Sequence, residues 1–357
     1  MIMLTPEEIS RYDSAGMLNR ILNLPQQIQH AMAISQAASF KFQTEIFNVC
    51  VAGMGGSAIG GDIVRACLSD VITVPFIVSR YYSLPKFVDN KSLVIVCSYS
   101  GDTEETLSAY DDALAKRATI VCVTSGGSLA EKARVNGHPL VLVPGGYPPR
   151  AALGYLTTPL FYILFFAGMI SNPKKELQES VEVLTGLADA YHPRVASNRA
   201  QEIAYALQGK IPLIYTAAAG LEPVAMRWKG QLSENSEVMA FYNVFPELNH
   251  NEVMGWGPLQ EINRNFRPVY LRDRHLHHNI LKRMQITKTI LEQHTEGVVE
   301  VESSGTSLLA RMFSLIFLGD MVSLYLAILN RVDPTAIGNI NYIKRSCSAD
   351  QEVAAKI

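Results

Sequence analysis

The chain has 357 residues, enough for two domains of ordinary size or one large one, and either can bury a substantial core. Hydrophobic residues make up 48% of the chain and charged residues 18%, a composition that excludes an intrinsically disordered protein. The formal net charge of −2 supplies no basic field that would attract nucleic acid or acidic lipid, so neither is predicted as a partner.

The cysteines and the N-terminus favour a cytoplasmic protein. The five cysteines form no CxxC pair and several lie in apolar runs, as expected of reduced, buried thiols. The first residues carry acids where a signal peptide has a basic end and an apolar core, so no signal peptide is predicted. Residues 151–173 contain no charged side chain, but Thr157, Thr158 and Pro159 interrupt the apolar run that would be needed to cross a membrane. We therefore predict that this segment packs in the core and does not cross a membrane.

In the first half of the chain, short runs rich in Val, Ile and Cys alternate with helical patterns, after a helical start over residues 6–40. Strands are predicted over 47–53, 73–79, 92–98, 119–125 and 139–144, with helices over 57–68, 104–117 and 128–136. Near-continuous apolar strands indicate burial on both faces, as in a parallel sheet. The alternation of strands and helices predicts a doubly wound α/β sandwich.

The second half repeats this pattern after helical material over 150–208. The further predicted elements are strands over 211–217, 267–273 and 297–303, and helices over 220–232 and 306–330. The strand, glycine and helix at 211–232 repeat the arrangement at 47–68. We therefore predict two doubly wound parallel-sheet α/β domains, residues 1–192 and 193–357.

A glycine-rich loop, GMGGSAIGGD (53–62), joins the first predicted strand to its helix. Glycines allow close backbone approach to a ligand, the helix N-terminus favours an anion, and Ser57 adds a hydroxyl group. A Walker loop is excluded because the loop has no lysine. The pattern GxGxxA from Gly53 half matches a dinucleotide fingerprint, but the second strand ends in Ser79-Arg80 instead of a ribose-binding acid. Because an arginine there suits NADP, an NADP-binding oxidoreductase is kept as a weakened alternative. A turn that only packs a helix on a strand is another.

A second loop, SYSGDTEET (98–106), follows the strand at 92–98 and also opens a helix. Its hydroxyl groups surround Gly101 and provide neutral donors that suit a phosphate monoester dianion. In a parallel sheet both loops lie at the carboxyl ends of strands, where ligands of this fold class bind. The two loops together predict a phosphate site, and a third Ser/Gly segment (124–128) follows the next strand.

These motifs, with PRAALGY (149–155), resemble the sugar isomerase (SIS) domain, and more closely the bifunctional phosphoglucose/phosphomannose isomerases. The resemblance continues through RWKGQLSENS (227–236), ELNHNE (247–252) and residues 333–344, in the family's order. It implies two SIS-like domains and an enzyme that interconverts glucose 6-phosphate and/or mannose 6-phosphate with fructose 6-phosphate through an enediolate, without a cofactor.

The resemblance also implies roles for single residues. The substrate phosphate would be bound by Gly55, Gly56, Ser57, Ser98, Ser100 and Thr103. Glu234 would be the catalytic base and Arg150 would lie beside the reacting carbon atoms. His250 and Lys344 would serve ring opening, with His250 contributed by the neighbouring subunit of a homodimer. Asp102 departs from the family pattern, in which we expect asparagine.

The proposed chemistry needs these residue types, although each has an ordinary structural explanation. Aldose–ketose isomerisation requires a carboxylate base, a cation beside the developing oxyanion and acid–base groups that open the ring. Taken alone, Glu234 and Lys344 are typical of solvated surface positions, and Arg150 of a helix start or an interface. His250 lies in a polar cluster without apolar periodicity, which suits a proton shuttle.

Three alternatives concern other functions. A regulatory sugar-phosphate-binding protein would keep the loops without catalysis. A glucosamine-synthesising amidotransferase would need a glutaminase domain with an N-terminal cysteine, whereas this chain begins Met-Ile-Met. His275, His277 and His278 lie together, but no cysteine or acid stands beside them in ligand order, so a solvated helix is predicted and no metal.

Overall fold

The computed structural model describes residues 4–38, 40–42, 44–195 and 198–354 of the chain. The strands are β1 (Asn48–Ala52), β2 (Phe76–Ser79), β3 (Ser92–Ser98), β4 (Thr119–Thr124), β5 (Leu140–Leu142), β6 (Ile211–Ala217), β7 (Phe241–Phe245), β8 (Phe266–Arg272) and β9 (Val299–Glu302). They form a five-stranded sheet in the order β2-β1-β3-β4-β5 and a four-stranded sheet in the order β7-β6-β8-β9. Every neighbouring pair is parallel.

Helices flank both sheets and also join them. The α-helices are α1 (Pro6–Tyr12), α2 (Met17–Leu22), α3 (Leu24–Ala38), α4 (Gly55–Cys67), α5 (Glu104–Ala115), α6 (Gly127–Val135), α7 (Leu153–Phe166), α8 (Lys174–Ala190), α9 (Arg199–Leu207), α10 (Ala218–Ser236), α11 (Gln260–Asn263), α12 (His278–Leu291), α13 (Leu308–Asn330) and α14 (Gly338–Ala354). Short 3₁₀ helices cover Pro149–Ala151, Glu247–His250 and Glu252–Trp256.

The prediction of two doubly wound parallel sheets is confirmed. The strands β1 and β3 are buried along their whole length because helices cover both faces of the sheet. The order of the first four strands is the same in both sheets: after β2 the next strand, β3, is added on the other side of β1, and after β7 the next strand, β8, is added on the other side of β6. The boundary predicted after residue 192 falls between α8 and α9, between the two sheets, and it stays a prediction.

Two details differ from the sequence analysis. The helical start is three helices instead of one, because Gly16 takes a left-handed conformation (φ 73°) before α2 and a turn at Asn23 separates α2 from α3. The strand β7 was not predicted. It is a sheet edge whose residues are mostly exposed or half-buried, so it lacks the apolar run that marks the central strands.

The apolar helices α7 and α13 are core helices. All but the last two residues of α7 are buried, as predicted for this segment. The helix α13 is long and apolar enough to cross a membrane by length and composition alone, but 94% of its most apolar 18-residue stretch is buried inside the protein. It packs against α8, α9 and α10, and this packing accounts for its composition.

The contact between α10 and α13 depends on a glycine. The indole of Trp228 on α10 is fully buried and donates from Nε1 to the carbonyl oxygen of Leu315 at 2.8 Å. A Cβ atom at Gly319 of α13 would overlap the indole ring. Glycine is therefore required at 319 so that the two helices can approach around Trp228.

We predict that Gly319→Ala lowers the free energy of unfolding by about 1–3 kcal/mol, because the added methyl group overpacks the core. The matched control is Gly186→Ala in α8, where a Cβ meets nothing within 4 Å. That variant should be stabilised by about 0.5–1 kcal/mol, since alanine is the better helix former. Urea unfolding of both variants checks the prediction, and equal stability changes would contradict it.

Candidate active site

Two of the predicted phosphate loops meet at the carboxyl edge of the first sheet. They follow β1 and β3, neighbouring strands between which the strand order reverses, and ligands of doubly wound folds bind at such a point. The backbone N–H of Tyr99 donates to Oγ of Ser57 at 3.1 Å and joins the loops directly. A Cβ at Gly53 would lie 2.8 Å from the carbonyl oxygen of Cys97, so only glycine permits this approach.

The second loop is organised by its own hydroxyl groups. Ser98 Oγ donates to Oγ1 of Thr103 at 3.1 Å and accepts the backbone N–H of Gly101 at 3.1 Å. Within the described residues no side chain caps α4 or α5. The N–H of Ser57 donates to the carbonyl oxygen of Met54 at 2.9 Å, and the other N–H groups of the two first turns are available to an anion. The structure therefore brings together Gly55, Gly56, Ser57, Ser98, Ser100 and Thr103 on two adjoining loops. Their role as phosphate ligands stays a prediction.

The carboxylate of Asp102 is engaged by the neighbouring helix. Its Oδ1 accepts the backbone N–H of Ser128 at 2.9 Å and the Ser128 hydroxyl at 2.8 Å, at the N-terminus of α6. The backbone hydrogen bond, followed by the side-chain one, lowers the pKa of Asp102. Asp102 thus caps α6, and its charge is directed to a helix N-terminus that favours it. This explains how an acid is tolerated in the loop.

A cavity of about 190 Å³ lies between the first phosphate loop and α10. Its lining residues are Gly55, Gly56, Ile59, Arg80, Arg150, Met226, Arg227, Lys229, Gly230, Gln231 and Glu234. Four of them are cationic and one is acidic, so the cavity has an electrostatic preference for an anion. Arg80 forms an ion pair with Asp62 of α4, an engagement that sequence reasoning missed.

The predicted catalytic pair meets in this cavity. Nη1 of Arg150 lies 3.4 Å from Oε2 of Glu234, with the side chain of Arg150 5% exposed and that of Glu234 37% exposed. Burial lowers the pKa of Arg150, and the nearby charge of Glu234 opposes that shift. Arginine remains protonated in proteins, so the pair consists of a buried fixed cation and a more accessible carboxylate.

A second ion pair lies directly behind Arg150. Nε and Nη2 of Arg227 contact the two carboxylate oxygens of Asp320 at 3.1 and 2.7 Å, and Nη2 also donates to the carbonyl oxygen of Arg150 at 2.9 Å. Burial raises the pKa of Asp320, and Arg227 acts against that shift. The sequence did carry a signal for this pair, because Asp320 is an acid in the middle of a 23-residue apolar helix.

His250 and Lys344 are placed outside the described lining of the cavity. His250 is exposed at the end of the 3₁₀ helix that follows β7, and Lys344 is exposed on α14. The segment before α14 is nevertheless fastened to the site, since Nη2 of Arg150 donates to the carbonyl oxygen of Pro334 at 2.8 Å. The roles of His250 and Lys344 in ring opening stay predictions.

The three neighbouring histidines have an ordinary structural role. His277 accepts the backbone N–H of Asn279 through Nδ1 at 3.2 Å and so caps α12. Its ring packs on that of His278, with the ring centroids 4.4 Å apart. Among the residues that the structure describes, no group of three or more His, Cys, Asp or Glu side chains could hold a metal ion.

Comparison with known proteins places the chain in a class. Residues 196–346 match the family model described as bacterial phospho-glucose isomerase C-terminal SIS domain. A putative phosphosugar isomerase structure from Clostridium difficile 630 superposes with a TM-score of 0.71 at 15% identity, covering 90% of this chain and 95% of that one, which shows the same fold. The fold and the adjoining loops thus define an α/β protein with SIS-type architecture.

The curated relatives narrow this class to one family. The chain is 45% identical over 331 residues to the bifunctional phosphoglucose/phosphomannose isomerase of Caldicellulosiruptor bescii, covering 92% of this chain and 98% of the relative. It is 36% identical over 298 residues to the protein of the same name from Aquifex aeolicus, covering 83% and 89%. The chain belongs to the family of bifunctional phosphoglucose/phosphomannose isomerases.

We predict a pH-dependent contribution of Asp102 to stability. Because its pKa is lower in the folded protein, the carboxylate stabilises the fold above its ordinary pKa of 3.8, and this effect is lost as pH falls through the folded value. At pH 7, Asp102→Asn should cost less than about 1 kcal/mol, since the exposed charge is screened by solvent. Urea unfolding should show that the difference in free energy of unfolding between the wild type and Asp102→Asn becomes smaller as the pH falls through the acid range. A difference that stays constant would contradict the capping role.

Proposed function

We propose that the enzyme interconverts glucose 6-phosphate and mannose 6-phosphate with fructose 6-phosphate, through an enediolate and without a cofactor. The observation that carries the proposal is the contact of Glu234 with the buried guanidinium of Arg150 in a cavity that also reaches the first phosphate loop. A sugar phosphate anchored on the loops would extend its first two carbon atoms toward this pair. The names of the curated relatives agree with the reaction.

In the proposed mechanism Glu234 and Arg150 have different roles. Glu234, the more exposed partner, removes a proton from one of the two reacting carbons and returns it to the other. Arg150 is a cation already in place where negative charge develops on the enediolate oxygen, so it needs little reorganisation during the reaction. The phosphate itself is bound by the hydroxyl groups and helix N-termini of the two loops, away from the chemistry.

Ring opening is assigned to His250 and Lys344. An imidazole can transfer protons near neutral pH, which suits opening of the cyclic sugar before isomerisation. Because His250 is exposed and lies outside the described lining of the cavity, we propose that it acts in the site of a second subunit of a homodimer. A cytoplasmic location is part of the same proposal.

The main alternative is a regulatory protein that binds sugar phosphate without turnover. An acid held beside a buried arginine in the cavity supports catalysis, because the pair supplies the base and the cation that isomerisation requires. The alternative of an NADP-binding oxidoreductase is weakened by Arg80, which is paired with Asp62 and whose charge is therefore partly neutralised.

We predict that Glu234→Gln lowers kcat by at least about 10²-fold for both aldose phosphates while KM changes little, because the amide cannot accept the proton. Isomerisation is followed with glucose 6-phosphate and mannose 6-phosphate, each with and without a metal chelator. The wild-type rates should not depend on the chelator. Glu237→Gln, the same substitution at an exposed position three residues further on, is the control and should retain full activity. Full activity of Glu234→Gln would remove this residue from the mechanism.

Mixed dimers test the origin of His250. If each site combines Glu234 of one subunit with the histidine of the other, a mixed dimer of Glu234→Gln and His250→Ala chains has one intact site. Random exchange of the two inactive variants should then restore about a quarter of the wild-type activity, because half of the dimers are mixed. Restoration is measured after the subunits are dissociated and reassociated. No recovery from dimers shown to be mixed would place His250 in the site of its own chain.

A further inference from the structure

The guanidinium of Arg150 is held by a closed ring of buried hydrogen bonds. Its Nε donates to Oδ1 of Asn235 at 2.6 Å, and Nδ2 of Asn235 donates to Oγ of Ser323 at 2.9 Å. Ser323 Oγ in turn donates to the carbonyl oxygen of Asp320 at 2.7 Å. The carboxylate of Asp320 binds Arg227, which returns to the carbonyl oxygen of Arg150 at 2.9 Å. The ring thus fixes both the backbone and the side chain of Arg150.

The direction of each hydrogen bond in the ring is determined. Arginine nitrogens only donate, so the oxygen of the Asn235 amide must face Nε of Arg150. The amide nitrogen then faces Ser323, whose hydroxyl hydrogen is already given to Asp320. Asn235 and Ser323 are fully buried, so no water competes for these bonds. A ring with one possible orientation holds one arrangement of the guanidinium.

Asn235 of the ring and Pro334 together leave one nitrogen of Arg150 free to face the site. Nε is held by Asn235 and Nη2 by the carbonyl oxygen of Pro334, while Nη1 is directed at Glu234. Without the bond from Nε, the guanidinium would keep only the anchor at Pro334 besides its contact with Glu234 itself, and a planar group with one fixed anchor can rotate about it. Asn235 is therefore the residue that sets the plane of the guanidinium relative to the carboxylate of Glu234.

We infer that Asn235 is a positioning residue for the isomerisation, acting through Arg150 in the arrangement set by Ser323 and the Arg227–Asp320 pair. The inference rests on the proposed function, because it gives Asn235 a purpose only if Arg150 stabilises the enediolate. Asn235 contacts the substrate-facing pair from behind and is not among the residues that line the cavity. Its effect should therefore appear in kcat and not in the binding of the phosphate.

The test compares Asn235→Ala with a neighbouring control. Ser236→Ala also removes a buried hydrogen bond between α10 and α13, the 2.6 Å bond from Oγ of Ser236 to the carbonyl oxygen of Ser323, but does not touch Arg150. We expect Asn235→Ala to lower kcat by about 10²-fold with KM little changed, as for a misplaced catalytic group. Ser236→Ala should retain the wild-type kcat. Wild-type kcat in a folded Asn235→Ala variant would overturn the inference.

A double-variant cycle separates positioning from a general loss of structure. In an Arg150→Lys background the side chain that Asn235 holds is gone, so adding Asn235→Ala should change kcat by less than about threefold. If the double variant instead loses kcat by the full product of the two separate losses, the inference is overturned. If Asn235→Ala does not fold, Ser323→Ala takes its place. It releases the amide of Asn235 and should give a smaller loss of kcat in the same direction.

A readout that does not depend on activity keeps this inference distinct from the proposed function. In protein with ¹⁵N-labelled arginine, the Nε–H signal of Arg150 is the one that disappears in Arg150→Lys. It should be protected from exchange with water in the wild type and in Ser236→Ala, and should lose protection in Asn235→Ala. Protection that persists in Asn235→Ala would overturn the positioning role even if the enzyme is active. An inactive wild type with the expected pattern would instead overturn the proposed function alone.

Discussion

The burial of Arg227 is the constraint on which the rest of the site depends. A guanidinium removed from water is tolerated only when its charge is paired and its donors are used, and Asp320 supplies both in a two-point contact. Asp320 can reach Arg227 only because α10 and α13 lie against each other, and Gly319 next to it is what allows that approach. The ion pair and the glycine therefore set one geometry for the two helices.

The position of Arg150 depends on that geometry. It lies in the first half of the chain, after β5, yet its carbonyl oxygen is bound by Arg227 and its side chain by Asn235, both on α10 in the second half. Residues from both halves of the chain therefore form the cavity between the two sheets. The phosphate loops follow strands of the first sheet, and the carboxylate that contacts Arg150 lies on α10 in the second half of the chain.

The sequence was a good guide to features with a local cause. The buried strands β1, β3 and β4 are marked by continuous apolar residues, and the phosphate loops by glycines and hydroxyl groups at fixed places between strand and helix. The edge strand β7 has no such mark, because half of its surroundings is solvent. The contacts of Arg150 could not be predicted from the residues alone, since Asn235 and Pro334 lie 85 and 184 positions away along the chain.

Asp102 and Asp320 show why an acid in an unexpected place has to be judged by its partner. An acid beside a phosphate site is unfavourable in general, but the charge of Asp102 is stabilised by the N-terminus of α6. In the core, Asp320 interrupts an apolar helix and would be costly alone, but it is the counter-charge of Arg227. The first acid is tolerated beside the site because it is directed away from it. The second contributes to the site because, through Arg227, it fixes the backbone from which Arg150 projects.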